Sequence, residues 1–212
     1  SLGRSIIRRD ALIEACIEMD MPAFAVTERN NLFSAYKLFK SSQKKGIKYI
    51  IGSTITIIDQ AERSKSNLSL LCENEIGYKN LCGLITKSYI NGLSKDQPLI
   101  DIKWLEGQTD GLIAISPYSN GYFQHSTSLD HSSSSEKVTT FKSLFPDRLF
   151  LSLSRMGVPN EEIINKSMIE LSSKFDIPVV AVNNPISIEK DDFLPLDARV
   201  CIDQGMVLDD KR

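Results

Sequence analysis

The sequence predicts an α/β protein with a distorted, barrel-like sheet. Three observations carry that expectation. At least five short, continuous apolar runs recur, as strands buried on both faces require. Segments with helical spacing of apolar residues lie between them. No GxGxxG or GxxxxGK[ST] follows any run, which sets aside dinucleotide-binding and P-loop folds. Strands alternating with helices imply a parallel sheet. The 212 residues, 42% hydrophobic and 25% charged, can bury one sizeable core.

The elements follow in chain order. Asp10 is placed to cap a helix bearing Ile13, Cys16 and Ile17, and Pro22 ends it. Ala23 to Thr27 is a buried strand. Leu32, Ala35, Tyr36 and Phe39 fall at i, i+3, i+4 and i+7 of a helix, which Gly46 stops. Tyr49 to Ile51 opens a strand that the β-branched run Thr54 to Ile58 extends. Asp59 to Asn67 is polar and reads as a loop before a short strand at Leu68 to Cys72. Asn74 caps a helix carrying Leu81, Leu84, Ile85 and Tyr89. Asp101 to Leu105 is one helical turn, with Trp104 assigned to the core, and Gly111 to Ser116 is a strand. Val138, Phe141, Leu144 and Phe145 make a helix face before a strand at Leu149 to Leu151. Asn160 caps the next helix, and Val179 to Val182 is a strand. A last helix over Asp191 to Ile202 is interrupted near Pro195.

Residues 1–212 are read as a single domain. Residues 125–135 hold six serines, one threonine and both histidines, and are read as a flexible loop. The chain opens at Ser1 without an initiator Met and ends at Asp209-Asp210-Lys211-Arg212, so a fragment of a longer polypeptide is expected.

Composition removes several function classes. A net charge of −2 argues against a strongly basic nucleic-acid-binding domain. Lys44, Lys45 and Lys48 are read as a solvated helix end, with contact to DNA phosphate as the second reading. No apolar run approaches the roughly 20 residues that span a bilayer. Two histidines are too few for a site built from imidazoles. None of the four cysteines forms a CxxC pair, so reduced, buried thiols in a cytoplasmic protein are expected.

Strand ends are where α/β barrels carry chemistry. The runs deliver Glu28, Arg29 and Asn30; then Ser53 and Thr54; then Tyr118; then Ser152, Arg155 and Met156; then Asn183 and Asn184. The set holds one carboxylate and no histidine. It predicts a polar hollow in which Arg29 or Arg155 pairs with Glu28.

The order of segments resembles the PHP (polymerase and histidinol phosphatase) domain family. Met21-Pro22-Ala23-Phe24-Ala25-Val26-Thr27-Glu28 is similar to that family's GMPALALTDH segment. Gly46 to Gly52 resembles GIKPIIG, Asn74 to Leu81 resembles NEEGYRNL, and Ile177 to Asn184 resembles IPLVATND. Phe145 to Arg148, Gly157 to Pro159 and Val207 to Arg212 match as well. The combination resembles the N-terminal PHP domain of bacterial DNA polymerase III alpha subunits over nearly the whole chain, the serine-rich segment excepted.

The resemblance implies a distorted (β/α)7 barrel whose first strand, with a His-x-His motif, precedes Ser1. It also implies which positions would hold metal in active members. They fall on Glu28, Arg29, Thr54, Asn67, Tyr118, Met156, Asn184 and Ile186, and only Glu28 keeps ligand chemistry. The expected function is therefore a catalytically inactive scaffold. It would support the polymerase and dock the proofreading exonuclease subunit, touching DNA at most weakly. No metal or cofactor is expected in this domain, with Mg2+ confined to a polymerase domain outside it. The alternative is an active metal-dependent phosphoesterase or exonuclease. A third reading is a stand-alone sugar- or nucleotide-binding barrel.

Overall fold

The computed structural model describes residues 5–60, 64–117, 131–183 and 185–208, with the backbone alone for 131–135. The chain, read above as a single domain, forms two compact units. The first comprises Ser1–Phe24, Ser34–Tyr49 and Asn184–Arg212, and the second Ala25–Phe33 and Ile50–Asn183.

In the first unit, α1 (Arg9–Glu18) packs on α2 (Ala35–Lys45), and Lys45 Nζ lies 3.3 Å from Glu14 Oε1. Asp10 is not the cap: Arg8 takes that position, and Asp10 sits in the first turn, paired with Arg9 at 2.8 Å. Gly46 ends α2 in the left-handed conformation, φ 75°, as its lack of a Cβ allows. A 3-10 turn at Lys190–Asp192 leads into α6 (Phe193–Gln204). Pro195 does not interrupt this helix. It occupies the first turn, where its missing N–H costs nothing. Pairing across the sequence joins the ends of the unit, with Ile6 N and Ser5 Oγ both donating to the Ile186 carbonyl at 3.2 and 3.0 Å.

The strands form one seven-stranded sheet in the order β1 (Ala23–Arg29), β2 (Lys48–Asp59), β3 (Ser64–Cys72), β7 (Leu112–Ser116), β8 (Leu149–Leu153), β9 (Val179–Ala181). β6 (Ile100–Asp101) pairs with β2 off that path. β4 (Leu93–Ser94) and β5 (Gln97–Pro98) make a separate small hairpin. The sheet is mixed, which corrects the expectation of parallel strands throughout. β7, β8 and β9 are parallel, but β2–β3 and β3–β7 are antiparallel. The stretch read as a loop over Asp59 to Asn67 is mostly strand. β2 runs to Asp59 and β3 starts at Ser64, so only a few residues join them. A connection that short forces antiparallel pairing.

The core of the second unit collects Ile55, Ile57, Leu68, Leu70, Leu112, Ala114, Leu149 and Leu151 from the sheet. Leu81 and Leu84 join them from α3 (Glu75–Asn91), Phe141 from α4 (His131–Leu144) with Phe145 just past its end, and Met168 from α5 (Glu161–Phe175). Trp104 packs against this core with Lys87 Nζ 4.4 Å from its ring centroid. α4 begins at His131, so residues 131–135 are helical rather than loop, and 125–130 lie outside the described residues. Asn160 precedes α5 but does not cap it with its side chain. It sits in the left-handed region at φ 63°.

The Asn74 to Leu81 segment shows why its residue types recur at that spacing. Asn74 Oδ1 accepts from Gly77 N at 3.1 Å, a working N-cap. Glu73 N donates to the Gly111 carbonyl at 2.9 Å, Asn80 Nδ2 donates to the Asp110 carbonyl at 2.9 Å, and Leu81 is fully buried. Gly77 presses backbone to backbone against Gly111, and a Cβ there would fall 1.8 Å from the Gly111 oxygen. Gly77→Ala therefore has to displace backbone. Chemical denaturation should show a loss of about 3 kcal/mol, whereas Gly83→Ala, at a roomy helical position, should leave stability unchanged or raised.

Candidate functional site: a neutral polar cluster across two antiparallel strands

Two neighbouring strands alternate in step. β2 reads Thr54-Ile55-Thr56-Ile57 and β3 reads Asn67-Leu68-Ser69-Leu70. In the antiparallel register Thr54 faces Ser69 and Thr56 faces Asn67. Side chains two apart share a face, so Ile55, Ile57, Leu68 and Leu70 go to the core and the four polar residues line the opposite face together. Asn67 is thus inside β3, directly across from Thr56, and not in the loop before a strand.

The cluster satisfies itself. Thr54 Oγ1 and Ser69 Oγ share a hydrogen bond at 2.9 Å. Thr56 Oγ1 donates to Asn67 Oδ1 at 3.4 Å. Asn30, just past the end of β1 and 3% exposed, completes the group. Its Nδ2 donates to Thr56 Oγ1 at 3.1 Å, its Oδ1 accepts from Thr56 N at 2.7 Å, and its own N donates to the Thr54 carbonyl at 3.0 Å. Asn30 stands at φ 53°, a left-handed conformation that asparagine tolerates better than most residues. Ser53 Oγ donates to the Glu28 carbonyl at 2.7 Å, tying β1 to β2 one step away.

Thr54 and Asn67 both join this cluster, and Glu28 is half-buried in β1, its carbonyl held by Ser53. Arg29 is exposed. Met156 is 40% exposed on the segment after β8. Tyr118 and Asn184 lie outside the described residues. Ile186 belongs to the first unit and contributes its backbone carbonyl there. The sequence reading missed Asn30 as an anchor, and it missed Thr56 and Ser69. The signal was present in the paired alternation Thr-x-Thr and Asn-x-Ser, but it is visible only once the two strands are known to be antiparallel neighbours.

The donor chemistry does not fit a divalent cation. Zinc takes thiolate, imidazole or carboxylate, and magnesium and calcium need carboxylate-rich oxygen shells. Thr54, Thr56, Asn30, Asn67 and Ser69 are neutral, and their hydrogen bonds run to one another. Among the described residues no three His, Cys, Asp or Glu side chains are grouped as a metal would need. Ser152 Oγ, 1% exposed on β8, is the one described buried side-chain oxygen or nitrogen without a partner.

A carboxylate does organise the segment bearing Met156, but through hydrogen bonds. Glu161 accepts from Ser154 Oγ at 2.8 Å, from Met156 N at 2.6 Å and from Gly157 N at 2.9 Å. The Met156 N–H, with the Ser154 and Gly157 bonds adding to it, holds its carboxyl below the usual range, and the charge of exposed Arg155 assists. Asn165 fastens the same stretch, accepting from Ser154 N and donating to its carbonyl at 3.2 and 2.7 Å. In Cys72 burial dominates, and the thiol is pushed up to about 12.

The PHP domain family profile matches residues 1–156. The chain belongs to the PHP domain family. The PHP chain is 33% identical over 214 aligned residues to the DNA polymerase III subunit alpha of Pseudomonas fluorescens, covering 100% of this chain and 18% of that protein. It is 34% identical over 203 residues to the subunit of the same name from Escherichia coli strain K12, covering 95% of this chain and 18% of that protein. The PHP chain therefore spans under a fifth of the length of these relatives. A Bifidobacterium adolescentis protein assigned as a metal-dependent phosphoesterase superposes with a TM-score of 0.53 at 9% identity, covering 93% of each chain. That likeness concerns the fold alone. Among the described residues no helix is long and apolar enough to cross a membrane.

Two outcomes test the site. Asn30→Ala removes two side-chain bonds, leaves the buried Thr56 N–H unpaired and puts alanine at positive φ. Denaturant unfolding should show a loss of about 2–4 kcal/mol, and a change within about 0.5 kcal/mol would mean the cluster holds nothing. For Glu161 the folded carboxyl titrates lower than the unfolded one. Its contribution is thus present above the unfolded value and fades as pH falls through the folded one. The melting temperatures of the parent chain and Glu161→Gln should differ at neutral pH and converge on acidification. A constant gap would contradict the hydrogen-bonded carboxylate.

Proposed function

We propose that the PHP chain is a non-catalytic domain of a bacterial replicative polymerase alpha subunit, one that supports the rest of that subunit and docks its proofreading exonuclease. The relatives are polymerase subunits that match this chain end to end or nearly so. The observation that carries the inactivity is the fate of two positions where the family resemblance puts metal ligands. Thr54 and Asn67 are neutral and absorbed into a hydrogen-bonded cluster with Asn30, Thr56 and Ser69. Phosphoester cleavage needs an activated water, supplied by a metal ion or a general base. A neutral hydroxyl bonded to Ser69 and a neutral amide bonded to Thr56 offer neither. On this reading the domain takes no cofactor and works in the cytoplasm. Mg2+ belongs to the polymerase domain elsewhere in the subunit, and a further strand ahead of Ser1 completes the (β/α)7 barrel.

A rigid domain can still serve as a docking body, because cross-strand pairing and a filled core fix its surface. Two measurements separate the readings. A titration of the intact alpha subunit with the exonuclease should give the same affinity for wild type and Glu28→Gln, with polymerase activity unchanged. A phosphodiester hydrolysis assay on the PHP chain with added manganese should show no turnover. Manganese-dependent activity that disappears in Glu28→Gln would overturn the proposal and favour the phosphoesterase reading.

A further inference from the structure

Net charge hides one local concentration. The 16 residues Ser34–Tyr49 carry Lys37, Lys40, Lys44, Lys45 and Lys48 and not one Asp or Glu, in a chain whose net charge is −2. Lys45 is spoken for by Glu14 of α1 at 3.3 Å. The other four are exposed and form no ion pair among the described residues. Tyr36, Phe39, Lys40, Gln43 and Lys44 fall at i, i+3, i+4, i+7 and i+8, one face of α2. That face holds two aromatics in water, Tyr36 at 66% and Phe39 at 44% exposure, while Ala35, Leu38 and Ser42 are the residues α2 buries. Lys40 Nζ stands 5.0 Å from the centre of the Tyr36 ring.

We propose that this face of α2 binds single-stranded nucleic acid, the lysines meeting phosphates and Tyr36 stacking on a base. The inference rests on the helix alone and goes beyond the scaffold reading. Solvent exposure of two aromatic rings is unfavourable unless a partner covers them. The partner must be anionic, because the surrounding cations lack carboxylates. It must also present flat apolar surface to the rings. An acidic peptide meets the first condition only. A duplex hides its base faces in the stack. A single strand exposes both phosphate and base face, and cation-flanked aromatics are how such strands are held without sequence preference. Lys40 and Lys44, one turn apart, are spaced by about 6 Å along the helix, so successive cations line the rail beside the rings.

Fluorescence anisotropy of a labelled oligothymidylate, titrated with the 212-residue chain over a range of salt concentrations, tests this directly. Lys40 and Lys44, the two lysines of this face, predict that log affinity falls against log salt with a slope of about −1.4. Lys40→Gln/Lys44→Gln should make the slope shallower by about 1.4. Tyr36→Ala should weaken binding by about tenfold and leave the slope alone. Lys166→Gln, on α5, should change nothing. No salt-dependent binding would overturn the proposal. So would a double variant indistinguishable from the parent, a Tyr36→Ala chain that binds as well, or polyglutamate binding as tightly as the oligonucleotide.

Discussion

Everything at the candidate site hangs on the antiparallel ladder between β2 and β3. Eight residue pairs, from Gly52 with Leu71 to Asp59 with Ser64, fix which side chains share a face. A slip of β3 by one residue would send Asn67 and Ser69 into the core and Leu68 and Leu70 out of it. Burying two polar groups without partners is far costlier than any single contact in the ladder. The register is therefore enforced from both faces at once. Gly52 adds a local constraint, since a Cβ there would fall 2.6 Å from the Leu70 carbonyl oxygen and 3.0 Å from Thr27.

That ladder also brings together a polar cluster whose members bond to one another. In an active metal site, like-charged ligands repel one another until the ion arrives. Here the residues at two of those positions, Thr54 and Asn67, each bond a hydroxyl across the strand pair, because amides and hydroxyls both donate and accept. Asn30 is the keystone, as one side chain bonds both the hydroxyl and the backbone of Thr56. Away from the cluster, Glu161 performs a comparable service for the Ser154 to Gly157 segment, where a single carboxylate gathers two backbone N–H groups and a hydroxyl.

Much of the architecture was legible because its signals are local. The apolar runs became strands, Asn74 capped α3, Gly46 closed α2, and the single turn at Asp101 to Leu105 formed as a 3-10 helix. What could not be read depends on pairing. The polar character of Ser64 to Asn67 masked half of β3, since a strand whose one face is lined by Asn67 and Ser69 lacks the composition of a buried one. With that half-strand missed, the hairpin was missed, and with it the sign of the sheet and the company of Thr56. Asp10 and Pro195 misled for another reason. Both residue types favour the first helical turn broadly, so neither marks a boundary to the residue. The net charge likewise averaged over α2, where the cations lie.

The central proposal is that the cluster's own hydrogen bonds, rather than a bound cation, hold β1, β2 and β3 together at this site. Thermal unfolding of the 212-residue chain with and without Mn2+ or Zn2+ tests it most directly. An ion bound at a formed site and present at about 1,000 times its Kd would add about 4 kcal/mol, a rise of about 8–16 °C in Tm for a chain of this size. The account predicts the same Tm with metal, with chelator and with neither. A metal-dependent rise of that order, abolished by Glu28→Gln, would contradict it.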